Sequence, residues 1–157
     1  MLDISRLDSA ESQPRVSIEL NSTVQKACAD IGELYIARNK ELSLEERAKN
    51  QVIMGNEDIL YRAILNLLEN ALKHTPENSR VKVIVDLKKV IVRDYGPPIS
   101  EDSKTRIFEA FEKAPENMNT KGAGLGLSIV RKAAEFHKGS ISLETRKDGN
   151  DFILRFD

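Results

Sequence analysis

The amino-acid sequence predicts an α+β domain, a two-layer α/β sandwich in which three main helices pack on a mixed, mostly antiparallel sheet. Three segments carry apolar residues at the spacing of amphipathic helices. Several short β-branched runs, some joined by hairpin-like turns, indicate strands. The order is not βαβαβα, which argues against a doubly wound dinucleotide fold. A chain of 157 residues has room for one such domain with a real core.

The three helices are expected over about 23–38, 57–74 and 125–137. Asn21 and Ser22 are suitable caps for the first helix, because their side chains can accept hydrogen bonds from free backbone N–H groups. Gly55-Asn56 interrupts the chain and caps the second helix, which stops before Pro76.

The strands are expected over 16–20, 41–46, 51–54, 81–85, 90–92, 140–146 and 152–156. A hairpin should join 81–85 to 90–92 through the turn Asp86-Leu-Lys-Lys89. The last two strands should form a hairpin around Asp148-Gly149, a common turn pair.

Two further segments have the composition of a linker and of a long loop. Residues 1–14 are polar and end in Ser-Gln-Pro, which is typical of a linker, so the domain proper is expected over 15–157. Residues 100–121 are polar, contain Pro115 and several Asn, and predict a long loop. A loop of that length inside a small domain is often a functional lid.

Charge and composition exclude several function classes. Lys+Arg number 24 and Asp+Glu 25, so the net charge is −1 and a nucleic-acid partner gains no support. The single cysteine, Cys28, excludes an intrachain disulfide and fits a reducing compartment. No apolar stretch approaches the roughly 20 residues that span a bilayer. A cytoplasmic location is expected, and the sequence leaves open whether a longer parent protein is membrane-anchored.

The helix over 57–74 carries the first chemical signal. Its apolar residues form a stripe at spacings of three and four: Leu60, Ile64, Leu67, Leu68 and Ala71. Asn66, Asn70 and Lys73 fall on roughly the opposite side. Such residues are ordinarily just solvated, but asparagine is a poor helix former, and two of them at i and i+4 invite another explanation. Amide oxygens can ligate Mg²⁺, and an ammonium group can neutralise phosphate.

Two glycine motifs supply the other signals. Lys121-Gly-Ala-Gly-Leu-Gly-Leu127 opens a helix, where backbone N–H groups favour an anion such as phosphate. Alone, this pattern is equally typical of a flexible connector. Asp94-Tyr-Gly96 follows a strand, and a carboxylate there can accept a hydrogen bond from an exocyclic amine such as that of adenine. Alone, it would be read as a plain turn.

Together, in this order, the motifs resemble the nucleotide-binding domain of the gyrase, heat-shock chaperone, histidine kinase and mismatch-repair ATPase superfamily, and most closely its histidine kinase branch. Asn66-Leu-Leu-Glu-Asn70-Ala-Leu-Lys73-His-Thr75 resembles the N box, and Asp94-Tyr-Gly96 the first glycine box. Phe108-Glu-Ala-Phe111 resembles the F box, and Gly122-Ala-Gly-Leu-Gly-Leu127 the second glycine box. The resemblance implies a Bergerat-type ATP-binding fold and a linker that is the remnant of a dimerisation hairpin.

The resemblance also implies roles for individual residues. Asn70 would ligate Mg²⁺, with Asn66 supporting the metal and phosphates, and Lys113 of the lid would reach the γ-phosphate; Asn66 and Lys113 are thus the predicted catalytic residues. Asp94 would bind the adenine amine. The remaining predicted nucleotide contacts are Lys73, His74, Gly96, Ile99, Phe108, Gly122, Gly124, Leu125, Gly126 and Leu127. Glu69 is interpreted as a solvated or docking residue.

The sequence departs from the family pattern in two places. Pro98, preceded by Pro97, stands where the first glycine box usually has its second glycine, which puts hinging of the lid there in question. Neither histidine suits a phosphoacceptor, because His74 lies in the N box and His137 ends the helix after the second glycine box. The acceptor helix is expected outside this chain.

The implied function is a sensor histidine kinase module that holds Mg·ATP and phosphorylates a histidine on a separate dimerisation hairpin, with a response regulator downstream. The chain by itself is expected to be monomeric. Two alternatives remain: a non-catalytic nucleotide-sensing domain, for which Pro97-Pro98 is the hint, and an ATPase or serine kinase of the same superfamily. Asn66 argues against the ATPase, because ATPase branches carry a water-activating glutamate there.

Overall fold

A computed structural model describes residues 14–104, 106–107 and 123–157, with side chains described from residue 126 onward in the last range. Within these ranges the strands are β1 (Val16–Glu19), β2 (Glu41–Glu46), β3 (Val52–Gly55), β4 (Arg80–Asp86), β5 (Lys89–Asp94), β6 (Ser140–Arg146) and β7 (Gly149–Arg155). The helices are α1 (Leu20–Ala37), α2 (Glu57–His74), the single turn α3 (Glu101–Lys104) and α4 (Ala123–Phe136). No helix in the described ranges is long and apolar enough to cross a bilayer.

The main sheet has five strands in the order β2-β4-β5-β7-β6. Strand β2 runs parallel to β4, and the other pairings are antiparallel. A separate antiparallel pair joins β1 to β3. The predicted mixed, mostly antiparallel sheet is therefore confirmed.

The core lies between the sheet and helices α1, α2 and α4. Alternate residues of β4 and β5 face it, and the inward side chains of Val81, Val83 and Val92 have no exposed surface. Phe152 of β7 lies opposite Val92 across the strand pair and is 1% exposed. Burial of large apolar side chains contributes about 1.5–3 kcal/mol each, so this layer dominates the stability of the domain. The predicted two-layer sandwich is confirmed.

The beginnings of the two long helices show where local sequence signals suffice and where they do not. Asn56 caps α2 as predicted, and its Oδ1 accepts from the Ile59 N–H at 3.0 Å. Helix α1 begins at Leu20, so the predicted cap at Asn21 or Ser22 is wrong. Leu20 is fully buried, and the Asn21 side chain instead donates to Glu46 Oε1 at 2.8 Å. Tertiary contacts therefore override the capping preference of Asn21.

The β6–β7 hairpin corrects a second expectation. Arg146 pairs with Gly149, so the turn consists of Lys147 and Asp148, and Gly149 is already the first residue of β7. A Cβ at Gly149 would lie 1.9 Å from the carbonyl oxygen of Asp94. Glycine is required there because β7 approaches the end of β5 too closely for a side chain.

Candidate functional site

The polar face of α2 differs from an ordinary solvated face. The predicted apolar stripe is at most 1% exposed throughout: Leu60, Ile64, Leu67, Leu68 and Ala71. Asn66 and Asn70 are half-buried, whereas Lys73 and His74 in the last turn are exposed. Among the described residues, neither asparagine amide has a hydrogen-bond partner. Within the described part of the chain, both amides are therefore available to a ligand.

The last turn of α2 is held in place by Lys40, which follows α1. Its Nζ donates hydrogen bonds to the carbonyl oxygens of Leu72 and Thr75, the latter at 2.7 Å. A cation at a helix C-terminus satisfies free carbonyl groups and is attracted by the helix dipole. The turn that carries Lys73 and His74 is thus fixed from outside the helix.

Asp94, the last residue of β5, is buried at 3% exposure, more than the other ionisable ligand-binding residues that the structure describes, Lys73 and His74. Its Oδ1 accepts from the Gly96 N–H at 3.0 Å and from Asn150 Nδ2 at 3.2 Å. Burial raises the pKa of Asp94, and these hydrogen bonds oppose the rise. The carboxyl group is therefore oriented by neighbours rather than by water.

Gly96 brings the first glycine motif against the end of α2. A Cβ at this position would lie 2.6 Å from the carbonyl oxygen of His74, closer than real Cβ contacts occur. Desolvation lowers the pKa of His74, and the charge of Lys73 lowers it further, which favours a neutral imidazole. The structure therefore brings together Asp94, Gly96 and the last turn of α2.

Asn150 is a site residue that the sequence analysis missed. It follows Gly149 on β7 and is 2% exposed. Besides its bond to Asp94, its Nδ2 donates to the Pro97 carbonyl oxygen at 3.0 Å, and its Oδ1 accepts from the Ile99 N–H at 2.8 Å. The sequence carried no local signal for Asn150, because the last strand was predicted only from residue 152 and the partner Asp94 lies 56 residues away.

A charged network supports the backbone of Asp94. Arg93 donates to both carboxylate oxygens of Asp151, at 2.9 and 3.0 Å. Arg146 also donates to Asp151, and its Nη2 donates to the Asp94 carbonyl oxygen at 2.9 Å. The Asp151 side chain is only 9% exposed, so these bidentate, charge-assisted bonds are shielded from solvent.

Tyr95 fills the middle position of the Asp-Tyr-Gly motif. The guanidinium carbon of Arg80 lies 4.2 Å from its ring centroid, and that of Arg146 lies 5.0 Å from it. Both distances suit cation–π attraction. The half-buried ring is thereby held by strands β4 and β6.

Helices α2 and α4 are joined at one end by His137. The Asn56 N–H donates to His137 Nε2 at 3.1 Å, so Nε2 is the unprotonated nitrogen, and Nδ1 donates to the Ala133 carbonyl oxygen at 2.8 Å. Burial lowers the pKa of His137 and favours this neutral ring. Both nitrogens are occupied, which supports the expectation that His137 is not a phosphoacceptor.

This joint also sets where the second glycine motif lies. The end of α4 meets the beginning of α2, and the two helices pack together. At 1.5 Å per residue, the first turn of α4 lies roughly 20 Å from the joint, and so does Asn70 on α2. Because α2 and α4 pack together and meet at His137, Gly124 and Gly126 lie about as far from this contact as Asn70 does. The second glycine motif is therefore expected beside Asn70.

The first turn of α4 lies within the glycine motif, because the helix begins at Ala123 and not at the predicted Leu125. A Cβ at Gly126 would meet nothing within 4 Å. Leu127 is 2% exposed and belongs to the core, so its side chain packs between the layers. Phe108, Lys113, Gly122 and the side chain of Leu125 lie outside the described residues, as does most of the predicted lid.

A groove of about 730 Å³ lies elsewhere, between α1 and the outer strand β2. Its lining includes Cys28, Gly32 and Leu44 but none of the predicted site residues. Burial, and then the charge of Glu46, raise the pKa of the Cys28 thiol to about 11. The thiol is therefore protonated and unreactive at neutral pH.

Known proteins are similar to this chain in sequence and in fold. Residues 55–157 match the family described as histidine kinase-, DNA gyrase B- and HSP90-like ATPase. This chain belongs to that family. Within the family it is similar to QseC from Salmonella typhi, with 33% identity over 150 residues that cover 95% of this chain and 33% of QseC. It is also similar to SenX3 from Mycolicibacterium smegmatis, with 31% identity over 98% of this chain and 42% of SenX3.

The solved catalytic domain of histidine kinase ThkA has the same fold, with a TM-score of 0.80 and 28% identity over 90% of this chain and 95% of that solved domain. The predicted family membership, the ATP-binding catalytic domain of a sensor histidine kinase, is therefore confirmed. This histidine kinase domain spans about a third of the length of QseC.

Proposed function

We propose that this domain binds ATP with Mg²⁺ and transfers the γ-phosphate to a histidine on a separate dimerisation hairpin of its parent protein. The observation that carries the proposal is the contact between the two motifs. Asp94 is held at the buried end of β5, and Gly96 lies against the last turn of α2. One and two turns earlier on α2 are the amides of Asn70 and Asn66, which have no hydrogen-bond partner among the described residues.

Asp94 would recognise the base. Its Oδ1 already accepts hydrogen bonds from Gly96 and Asn150, so Oδ2 is the oxygen that we expect to accept from the adenine amine. A hydrogen bond to a charged acceptor contributes about 1.5–3 kcal/mol. Guanine carries an oxygen at the same position, and two acceptors would then face each other.

The residues present fit Mg²⁺ bound together with phosphate. Among the described residues, no group of three or more His, Cys, Asp and Glu could hold a metal. Mg²⁺ in nucleotide sites is commonly bound by one or two protein oxygens together with phosphates and water. The amide oxygen of Asn70 would serve as such a ligand, with Asn66 beside it. When bound, the ion would neutralise phosphate charge.

The phosphates would lie between the last turns of α2 and the beginning of α4. Lys73 would supply a positive charge, and the neutral His74 would lie beside the nucleotide. The free N–H groups of the first turn of α4, near Gly124 and Gly126, favour an anion. Lys113 and Gly122 remain predictions from the sequence alone.

Asn66 would direct the reaction towards transfer. An amide accepts a proton poorly, so it cannot serve as the general base that activates water for hydrolysis. A positioned imidazole on the dimerisation hairpin would instead attack the γ-phosphate, and the γ-phosphoryl group would pass from the ADP leaving group to that nitrogen. Histidine kinase ThkA has been crystallised with the response regulator TrrA, so we also propose that a response regulator receives the phosphoryl group downstream.

The test is calorimetry of ADP binding with and without Mg²⁺. We expect Asp94→Ala to weaken ADP binding by about 10- to 100-fold and to abolish the preference for ADP over GDP. Asn70→Ala should remove the gain in affinity that Mg²⁺ provides. The control is Asp86→Ala, which truncates an aspartate at the end of the neighbouring strand β4. Absence of ADP binding by the wild type in both conditions would refute the proposal.

A further inference from the structure

We infer that Asn150 is a positioning residue that couples recognition of the base to the backbone of residues 97–99, which directly precedes the predicted lid. The inference rests on the proposed nucleotide binding. No atom of Asn150 needs to touch the nucleotide, since it acts through Asp94 on one side and through the backbone of 97–99 on the other.

The geometry uses the whole amide group of Asn150. Both N–H groups are engaged, because Nδ2 donates to Asp94 Oδ1 at 3.2 Å and to the Pro97 carbonyl oxygen at 3.0 Å. The oxygen accepts from the Ile99 N–H at 2.8 Å. A side chain with two donors and an acceptor at these positions must be a short carboxamide. The residue is 2% exposed, so water does not compete for these bonds.

The two prolines make this contact more important. Neither Pro97 nor Pro98 has a backbone N–H, so this stretch cannot donate hydrogen bonds of its own. Asn150 holds the carbonyl group before Pro98 and the first N–H group after it. The start of the segment is thereby fixed on β7.

One side chain therefore serves two sites at once. A base that draws the Asp94 carboxylate towards its amine also acts on the amide that holds Pro97 and Ile99. Loss of Asn150 should thus weaken adenine recognition and release the Ile99 amide together. A residue that only supported the core would affect neither of these selectively.

Two variants separate the two halves of the contact. Asn150→Ala removes all three side-chain bonds and leaves the backbone hydrogen bond from residue 150 to Asp94 in place. Asn150→Asp has nearly the same shape and keeps an oxygen for the Ile99 N–H, but it lacks the donors and places a second carboxylate beside Asp94. The control is Asn21→Ala, which truncates another buried asparagine, 5% exposed and hydrogen-bonded to Glu46 and Ala48, on α1.

The experiment compares the affinities of ADP and inosine diphosphate, which lacks the exocyclic amine, and follows hydrogen exchange at Ile99. In Asn150→Ala and Asn150→Asp, the preference for ADP should fall about tenfold, through weaker ADP binding with inosine diphosphate little changed. The Ile99 amide should exchange faster in Asn150→Ala and stay protected in Asn150→Asp. Asn21→Ala should leave the preference and Ile99 exchange unchanged.

An unchanged preference for ADP in Asn150→Asp, or unchanged Ile99 exchange in Asn150→Ala, would overturn the inference while leaving nucleotide binding intact. A wild type that binds neither nucleotide would instead reject the proposed function. The two failures are therefore distinguishable.

Discussion

Three glycines differ in the space that is available for a side chain at their positions. At Gly149 a Cβ would lie 1.9 Å from the Asp94 carbonyl oxygen, whereas at Gly32 and Gly126 it would meet nothing within 4 Å. Gly149 is therefore required by the contact between β7 and β5. Gly32, in the middle of α1, has no such steric reason. A side chain at Gly126 would meet none of the described residues, but Gly126 lies in the turn where we propose that phosphate binds.

Substitution of each glycine by alanine should give three different results. Gly149→Ala should destabilise the domain by about 1–3 kcal/mol, because the backbone must move. Gly32→Ala should stabilise it by about 0.5–1 kcal/mol, because alanine favours the helix. Gly126→Ala should leave stability equal or higher and weaken ADP binding. Urea denaturation and calorimetry measure both quantities, and a Gly149→Ala variant as stable as the wild type would contradict the assigned contact.

At the scale of helices and strands, the contact between the end of α4 and the beginning of α2 depends on the hydrogen bond from the Asn56 N–H to His137. Protonation would place an N–H on Nε2 facing the Asn56 N–H and would break the bond between them. A Cβ at Gly55 would lie 2.0 Å from the His137 ring, so the ring packs directly against the Gly55 backbone. The folded state therefore requires the neutral form of the His137 imidazole.

The stability of the domain should therefore depend on pH through His137. Its pKa is lowered in the folded state, so the unfolded chain binds the proton more readily. The contribution to stability is constant above about pH 7 and is lost as the pH falls below about 6.5, by at most about 1.4 kcal/mol per pH unit. His137→Gln should lower stability at pH 7.5 and flatten its pH dependence between pH 5.5 and 7. Denaturant unfolding across that range measures the slope. An unchanged slope would exclude His137 as its source.

The helices and strands were largely predictable because their signals are local. The bounds of α2 follow from its apolar stripe, the Asn56 cap and Pro76, and all three signals lie within or beside the helix. The beginning of α1 was not predictable, because it depends on Asn21 reaching Glu46 and Ala48, which are 25 and 27 residues away. A capping preference cannot anticipate such a partner.

The residues of the candidate site also divide into those with a local sequence signal and those without one. Asp94, Gly96 and the asparagines of α2 belong to short motifs and could be singled out from the sequence. Asn150 could not, because its partner Asp94 lies 56 residues away and the pairing depends on the β5–β7 register.

At the scale of the whole molecule, this chain corresponds to about a third of QseC. Its own histidines are unsuited to accept phosphate, since His137 is buried with both ring nitrogens engaged and His74 lies in the proposed nucleotide site. Phosphoryl transfer should then require an acceptor histidine outside this chain, on the dimerisation hairpin of the parent protein.

Incubation with labelled ATP should leave this chain unlabelled and produce little ADP. A dimerisation hairpin from the cognate parent, added in trans, should acquire an acid-labile phosphate, and the same hairpin with its acceptor histidine replaced is the control. Acid-stable labelling of this chain on Ser or Thr would favour the serine kinase alternative. Tight ADP binding without labelling of the cognate hairpin would favour a non-catalytic sensing domain.

The position of Tyr95 has a practical consequence. The protein has no tryptophan and three tyrosines, so its ultraviolet fluorescence comes from Tyr35, Tyr61 and Tyr95. Tyr35 donates to the Leu68 carbonyl oxygen and Tyr61 to Asp30, whereas Tyr95 lies between two guanidinium groups directly beside Asp94. The fluorescence of Tyr95 should therefore change when a nucleotide binds at the proposed base site, and Tyr95→Phe provides the matching blank, so that nucleotide titrations need no attached dye.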